Sequence, residues 1–141
     1  MRRSFIVGTL LLTLLLAACG GSADEGAPDL PAAVEQIKGT ELNRITLTAE
    51  AAQRLGVQTV AARSNGKRTV IPYAAVLYDP DGRTWTYTSP RQLVFVRKDI
   101  SVDRIDGESA ILTAGPSAGV QVVTVGADEL WGVEYGGIEE D

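Results

Sequence analysis

Few side chains of this sequence are of the types that commonly catalyse reactions or bind metal ions. Its 141 residues include no His, one Cys (Cys19) and one Met (Met1). Without imidazole, the chain lacks the most versatile general base and the commonest metal ligand of proteins. With a single thiol, it can form neither an internal disulfide nor a zinc site built on cysteines. Since no Gly-x-Ser-x-Gly nucleophile motif replaces them, we predict a protein that is not an enzyme and has no cofactor or metal.

Cys19 itself follows a segment typical of an export signal. Arg2 and Arg3 precede an uncharged apolar run, and residues 16–19 read Leu-Ala-Ala-Cys. This is the pattern of a bacterial lipoprotein signal, in which the Cys receives diacylglycerol and cleavage occurs before it. We therefore predict lipid attachment at Cys19 and a cell-membrane lipoprotein on the extracytoplasmic side, which is periplasmic if the host has an outer membrane.

Two groups of carboxylates raise the question of a calcium site. Asp79 and Asp81 precede Gly82, and a second group follows at Asp103, Asp106 and Glu108. Neither group has the further oxygen ligands and the distal Glu that an EF-hand loop requires. We interpret the first group as a tight turn and the second as a solvated hairpin tip.

Basic and aromatic side chains are the better candidates for binding. The formal net charge of −5 argues against nucleic acid as a partner. Against this acidic background, the candidates for contact with a partner protein are Arg91, Arg97, Lys98 and Trp85. In the alternative interpretation, the three cations only serve solubility and Trp85 packs in the core.

The sequence around these candidates predicts strands. A Thr-Trp-Thr-Tyr-Thr run alternates strictly, so Trp85 and Tyr87 should share one face of a strand. A second alternation over residues 93–102 places Phe95 and Arg97 on one face. The two strands are therefore expected to position the candidate contact residues.

Turn and cap signals supply the rest of the predicted elements. Asn65-Gly66 predicts a hairpin that pairs residues 57–63 with residues 67–77. Thr48 is a suitable N-cap for a short helix over residues 49–55, with Gly56 after its end. Near the carboxyl end, residues 127–131 have the length of one helical turn, and Trp131 and Tyr135 are expected to fasten this segment to the sheet.

These elements predict a mainly β fold, a small β-barrel or β-roll with one short helix. We divide the chain into a signal peptide (1–18), a flexible tether (19–39), one folded domain (40–136) and an acidic tail (137–141). The tether prediction rests on Gly, Pro and acidic residues, which bury little apolar surface.

Two blocks of the sequence resemble the membrane-proximal domain of periplasmic adaptor proteins, or membrane fusion proteins, of tripartite efflux systems. Residues 45–59 resemble the strand–helix–strand that ends in Leu-Gly-Val in the family. The second block contains three segments that resemble motifs of the family. Its Val-Pro-x-x-Ala-Val is similar to residues 71–76, and its Phe-x-x-Arg-x-Val-x-Val is similar to residues 95–102. Its Gly-Leu-x-x-Gly-Asp-x-Val-Val-x-x-Gly is similar to residues 115–126. Pro116 and Val120 depart from this last pattern, where the family has Leu and an acidic residue.

The resemblance implies a function for only part of an adaptor. Full adaptors carry a β-barrel, a lipoyl-like domain and a helical hairpin between the two blocks, whereas this chain has only residues 61–69 there. It implies a non-enzymatic, lipid-anchored, adaptor-like module that associates with an efflux or export transporter at the extracytoplasmic face of the membrane. The implied partner is a resistance-nodulation-division (RND) or ABC export permease, or a full-length adaptor. The alternatives are a small-ligand-binding lipoprotein without a transporter, and a remnant of an adaptor.

Overall fold

The computed structural model describes residues 30–136, which form ten strands, two helices and one 3₁₀ turn (Tyr73–Ala75). The strands are β1 (Ala32–Gln36), β2 (Asn43–Leu47), β3 (Gln58–Ala61), β4 (Arg63–Asn65), β5 (Arg68–Pro72), β6 (Leu77–Tyr78), β7 (Thr84–Arg91), β8 (Val94–Asp106), β9 (Ser109–Ala114) and β10 (Gln121–Val125). The helices are α1 (Ala49–Arg54) and α2 (Ala127–Gly136). The predicted signal peptide, Cys19, the first part of the predicted tether and the acidic tail lie outside the described residues.

The strands form one antiparallel, barrel-like sheet that is nearly closed, which confirms the predicted mainly β fold. Its main path runs β3-β10-β7-β8-β9-β5-β4. β1 pairs with β2, which pairs with the first residues of β8, and β6 pairs with β7. Neither helix within residues 30–136 has the length and apolar character needed to span a membrane.

Local chemistry accounts for α1 and for the hairpin at Asn65-Gly66. The Thr48 hydroxyl accepts a hydrogen bond from the Ala51 N–H at 3.1 Å, as an N-cap does. Gly56 follows the helix with φ +64°, a conformation that glycine adopts without strain. Asn65 pairs with Arg68 across the turn, so β4 and β5 form the predicted hairpin.

Both predicted arms of that hairpin are wrong in part. The second arm ends at Pro72, just before the 3₁₀ turn, and Leu77 belongs to β6, which pairs with β7. Residues 58–61 form β3, which pairs with β10, and only residues 63–65 pair with β5. Ala62 lies between the two strands, where its N–H donates to the Val120 carbonyl and its carbonyl accepts from the Gly119 N–H. These non-local hydrogen bonds place β3 at one end of the main path of the sheet, whereas β4 lies at the opposite end.

The tether prediction is corrected at its second half, and the terminal helix is longer than predicted. β1 lies within the predicted tether and pairs residue for residue with β2, burying Ala32 to 4% exposure opposite Leu47. The free edge of β2 provides hydrogen-bond partners that composition does not reveal. α2 has ten residues rather than one turn, because it packs on β1 and β2 and buries Leu130 completely.

The barrel has two hydrophobic cores. The aromatic core gathers Trp85, Tyr87 and Phe95 with side chains of β2, α1 and α2. The aliphatic core contains only Ile, Leu, Val and Ala among its buried members: Ala62, Ile71, Ala75, Ile100, Ala110, Leu112 and Val122. β8 supplies Phe95 to the first and Ile100 to the second, and its pairing with β9 is irregular between Ser101 and Arg104.

Candidate functional site

An arginine lies at the end of the aromatic core, where two strands and α2 meet. Arg97 is directly opposite Tyr87 in the β7–β8 pair, and Trp85 is two residues before Tyr87 on the same face. α2 contributes a stripe at helical spacing, Trp131, Glu134 and Tyr135. We call the set of Trp85, Arg97, Trp131, Glu134 and Tyr135 the arginine cage.

Three aromatic rings surround the Arg97 guanidinium. Its central carbon lies 4.1 Å from the centroid of Trp85, 5.0 Å from that of Trp131 and 5.2 Å from that of Tyr135. Trp131 and Tyr135 also contact each other, with centroids 4.9 Å apart. Each Arg–ring distance is within the range of an attractive cation–π contact. Rings that stack on a planar guanidinium cover its faces and leave free its edges, where the N–H donors lie.

A buried carboxylate balances this charge. Arg97 Nε lies 3.4 Å from Glu134 Oε2, with side-chain exposures of 6% and 0%. The Tyr87 hydroxyl donates a hydrogen bond to the same Glu134 oxygen. Burial, and then the hydrogen bond to Glu134, raise the pKa of Tyr87 far above its usual value. Tyr87 therefore stays protonated and remains a donor at physiological pH.

The polar atoms of the cage are not fully satisfied. Three buried side-chain atoms of residues 30–136 have no hydrogen-bond partner, and two of them are Arg97 Nε and Glu134 Oε1. The 3.4 Å contact between Arg97 and Glu134 is an ion pair without the geometry of a hydrogen bond. An unsatisfied buried polar group lowers the free energy of unfolding by about 1–3 kcal/mol. Apolar side chains could hold α2 on the sheet without this loss of stability.

The cage forms one wall of an open groove of about 620 Å³, which we call the cage groove. Trp85, Arg97 and Tyr135 line it from the cage, and Leu42 lines it from the loop before β2. Its rim carries charges of both signs, from Glu41, Arg83, Lys98 and Asp99. The volume is within the range of sites for small molecules or for a side chain of a partner.

Asp79 holds one side of the groove in place. Its carboxylate accepts hydrogen bonds from Trp85 Nε1 at 2.9 Å and from Arg83 Nε at 3.1 Å. The backbone N–H groups of Asp81 and Arg83 donate to its other oxygen, which makes the predicted turn. The hydrogen bond from Trp85, more than those from Arg83, lowers the pKa of Asp79. Asp79 therefore stays ionised and fixes the Trp85 ring.

The structure brings together three of the four predicted contact residues. Trp85, Arg97 and Lys98 line the cage groove, whereas Arg91 is exposed at the end of β7 and does not line it. The solubility interpretation is wrong for Arg97, because a surface cation would not be 6% exposed. Trp85 packs in the core as the alternative proposed, and it also lines the groove. Cys19 lies outside the described residues.

Sequence reasoning missed Glu134 and Asp79 as parts of the site, and it assigned Trp131 and Tyr135 only to fastening the terminal segment. Two signals were present in the sequence. Phe95 and Arg97 share a strand face, so the burial of Phe95 implied a buried Arg97 in need of a partner. Glu134 lies between two aromatic residues at helical spacing, which made it the candidate for that partner. Within residues 30–136, acidic side chains form no group of three or more that could hold a metal ion.

No protein-family model matches this chain, and neither a curated protein nor a solved structure matches it. Among residues 30–136, the arginine cage and its groove are the features that best suit binding.

Proposed function

We propose that this chain is a non-enzymatic binding module, held at the extracytoplasmic face of the membrane by lipid on Cys19, that associates with an efflux or export transporter. Its partner is an RND or ABC export permease or a full-length adaptor. The observation that carries the proposal is the cage groove, an open concavity with a buried charged side chain in its wall. Lys98 and Asp99 on its rim belong to the sequence block that resembles the adaptor family.

The groups at the groove favour recognition over catalysis. A guanidinium keeps its proton at any physiological pH, and the indole N–H of Trp85 is already donated to Asp79. The raised pKa of Tyr87 also makes its hydroxyl a poor general base. These three groups are suited to bind and orient a partner, and none of them exchanges a proton readily near neutral pH.

The composition of the groove fits a protein partner. Trp, Tyr and Arg are the residue types that dominate binding energy in protein interfaces, and the groove has all three. Tyr135 is 56% exposed, so a partner would bury substantial aromatic surface there. Rim charges of both signs would set the register of the partner, which is how rim charges usually act.

Crosslinking in intact membranes tests this proposal. A photoreactive residue at Lys98 on the groove rim should capture a transporter subunit, identified by mass spectrometry. The matched control is the same residue at Arg91, an exposed cation outside the groove, which should capture far less. A Cys19→Ser variant exported on a signal peptide that is cleaved without lipidation tests the anchor, because it should leave the membrane fraction and lose most of the crosslink. Equal capture from positions 91 and 98, or recovery of the lipoprotein alone, would count against the proposal.

The second candidate is a small-ligand-binding lipoprotein without a transporter. The volume of the cage groove, about 620 Å³, and its walls of Leu42, Trp85 and Tyr135 favour it. Native mass spectrometry of the chain purified from its own host should then detect a bound small molecule, and position 98 should give no crosslink. Absence of both the crosslink and the bound molecule would favour an adaptor remnant.

A further inference from the structure

We propose that the cage groove binds a carboxylate group, held by the free edge of the Arg97 guanidinium. This inference rests on the proposed function only in taking the groove as the contact surface, and it does not require a transporter. Its basis is the hydrogen-bonding inventory of Arg97, the charge around the groove and the apolar character of the walls.

The donors of Arg97 are largely unused. A guanidinium carries five N–H donors in one plane. Nε faces Glu134 at 3.4 Å without forming a hydrogen bond, and Arg97 donates no side-chain hydrogen bond to any residue of the described chain. The Trp85 and Trp131 rings lie against the guanidinium, and the Arg97 side chain lines the groove. The terminal N–H groups are therefore available to two acceptor oxygens side by side, which is the geometry of a carboxylate.

The surrounding charges disfavour an anion that carries more than one negative charge. Tyr87 and Arg97 engage one oxygen of Glu134, while Oε1 has no partner among the described residues. The Asp79 carboxylate is engaged by Trp85, Arg83 and two backbone N–H groups. On the rim, Glu41 and Asp99 offset Arg83 and Lys98. The two rim carboxylates would repel a dianion such as phosphate more strongly than a carboxylate, because a carboxylate adds only one negative charge beside Arg97.

The walls indicate what the carboxylate is attached to. Leu42, Trp85 and Tyr135 present apolar and aromatic surface to the groove. A flat apolar group next to the carboxylate would stack on this surface. In a transporter complex, the same chemistry is an Asp or Glu side chain beside an apolar residue of the partner.

The chain reports on this site through its own fluorescence. Its two tryptophans, Trp85 and Trp131, both belong to the arginine cage. Titration of the purified full-length chain with benzoate should therefore change tryptophan emission in a saturable way. Benzamide has the same shape without the charge, and we expect its affinity to be lower by about tenfold or more. Inorganic phosphate should bind more weakly than benzoate. This comparison uses the wild-type chain and does not depend on the folding of any variant.

Variants locate the site. Arg97→Lys keeps the charge but loses the planar fork, and we expect it to weaken benzoate binding by about tenfold. Arg91→Met removes an exposed cation outside the groove and should leave benzoate affinity within about twofold. Circular dichroism of each variant checks that the sheet is retained.

Three results would overturn the carboxylate assignment: equal binding of benzoate and benzamide, tighter binding of phosphate than of benzoate, or equal losses in the Arg97→Lys and Arg91→Met variants. Failure of this inference and failure of the proposed function are distinguishable. A crosslink from position 98 without benzoate binding would overturn the carboxylate assignment alone. Benzoate binding without a crosslink would support the carboxylate site and count against the transporter.

Discussion

The aromatic and aliphatic cores share β8 but differ in what they bury. The buried members of the aliphatic core have only hydrocarbon side chains, among them Ile71, Ile100 and Leu112. At the end of the aromatic core, the barrel buries an arginine and a glutamate that lack hydrogen bonds at two atoms. The hydrocarbon side chains of the aliphatic core are sufficient for stability. The buried ion pair of the aromatic core costs desolvation energy, which a hydrocarbon replacement would avoid.

This difference teaches where to look for function in a small barrel. Burial of apolar side chains in the aliphatic core stabilises the fold and offsets the cost of the cage. Polar groups that are buried, charged and incompletely satisfied are uncommon in protein interiors, and they call for an explanation. In this chain they lie beside an open groove, which is why we assign binding to this end of the barrel.

The largest expected effect tests whether the cage is a cost to stability. Arg97→Met leaves Glu134 as an unpaired buried charge and should lower the free energy of unfolding by about 3–5 kcal/mol. Arg97→Met combined with Glu134→Leu replaces the pair by hydrocarbon and should recover most of that loss. Urea unfolding of the wild type, both single variants and the double variant measures the coupling. If the double variant is as unstable as the sum of the two single variants, the cage contributes stability and the contrast between the cores fails.

The next effect tests the aliphatic core. Ile71 of β5 is fully buried opposite Ala110 of β9, and Ile71→Ala should lower the free energy of unfolding by about 3 kcal/mol. Ile71→Val is the matched control, with an expected loss of about 1 kcal/mol. Benzoate affinity of the folded fraction should stay at the wild-type value in both variants. A loss of affinity as large as that in Arg97→Lys would mean that the two cores are not separate in function.

A smaller effect concerns the response of the aromatic core to alkaline pH. In the unfolded chain Tyr87 loses its proton near about pH 10, whereas burial raises its pKa in the folded state. Stability contributed by protonated Tyr87 is therefore present below about pH 10 and falls above it, by at most about 1.4 kcal/mol per pH unit. Tyr87→Phe should remove this part of the pH dependence in urea unfolding measured at successive alkaline pH values. Parallel curves for the wild type and the variant would contradict the assignment.

The smallest effect provides the reference for an exposed ion pair. Glu50 and Arg54 pair one turn apart on α1, and both side chains are mostly exposed. Arg54→Ala should change the free energy of unfolding by less than about 0.5 kcal/mol, and high salt should reduce the difference further. A loss comparable to that of Arg97→Met would show that burial does not distinguish the two ion pairs.

Local signals in the sequence predicted the elements that local chemistry determines. The N-cap at Thr48, the turn at Asn65-Gly66 and the shared face of Trp85 and Tyr87 each depend on residues within a few positions of one another. The pairing of β3 with β10 and of β1 with β2 depends on edges made available by the rest of the sheet. No pattern within either strand specifies such a partner, so these pairings were wrong or absent in the prediction.

The candidate site was likewise predicted only where residues close in the sequence determine it. Trp85, Arg97 and Lys98 stood out by residue type, but their convergence with Glu134 required knowing that α2 returns to the open end of β7 and β8. Arg91 has the same charge as Arg97, and only the two-residue periodicity beside Phe95 distinguished them. Residue type thus predicted Trp85, Arg97 and Lys98 as contact candidates. The burial of Arg97 was not predicted, although its two-residue spacing from Phe95 indicates it.

The length of β8 has a consequence for how the barrel opens. β8 runs through 13 residues and pairs with β2, β7 and β9, so it belongs to both halves of the sheet. Its backbone amides between residues 94 and 102 should then be among the slowest to exchange with deuterium, because exposing them requires the loss of both cores. Amides of β3, an edge strand whose four residues are all exposed, should exchange through local fraying. The strand that presents Arg97 to the groove is thus expected to be the last part of the barrel to open.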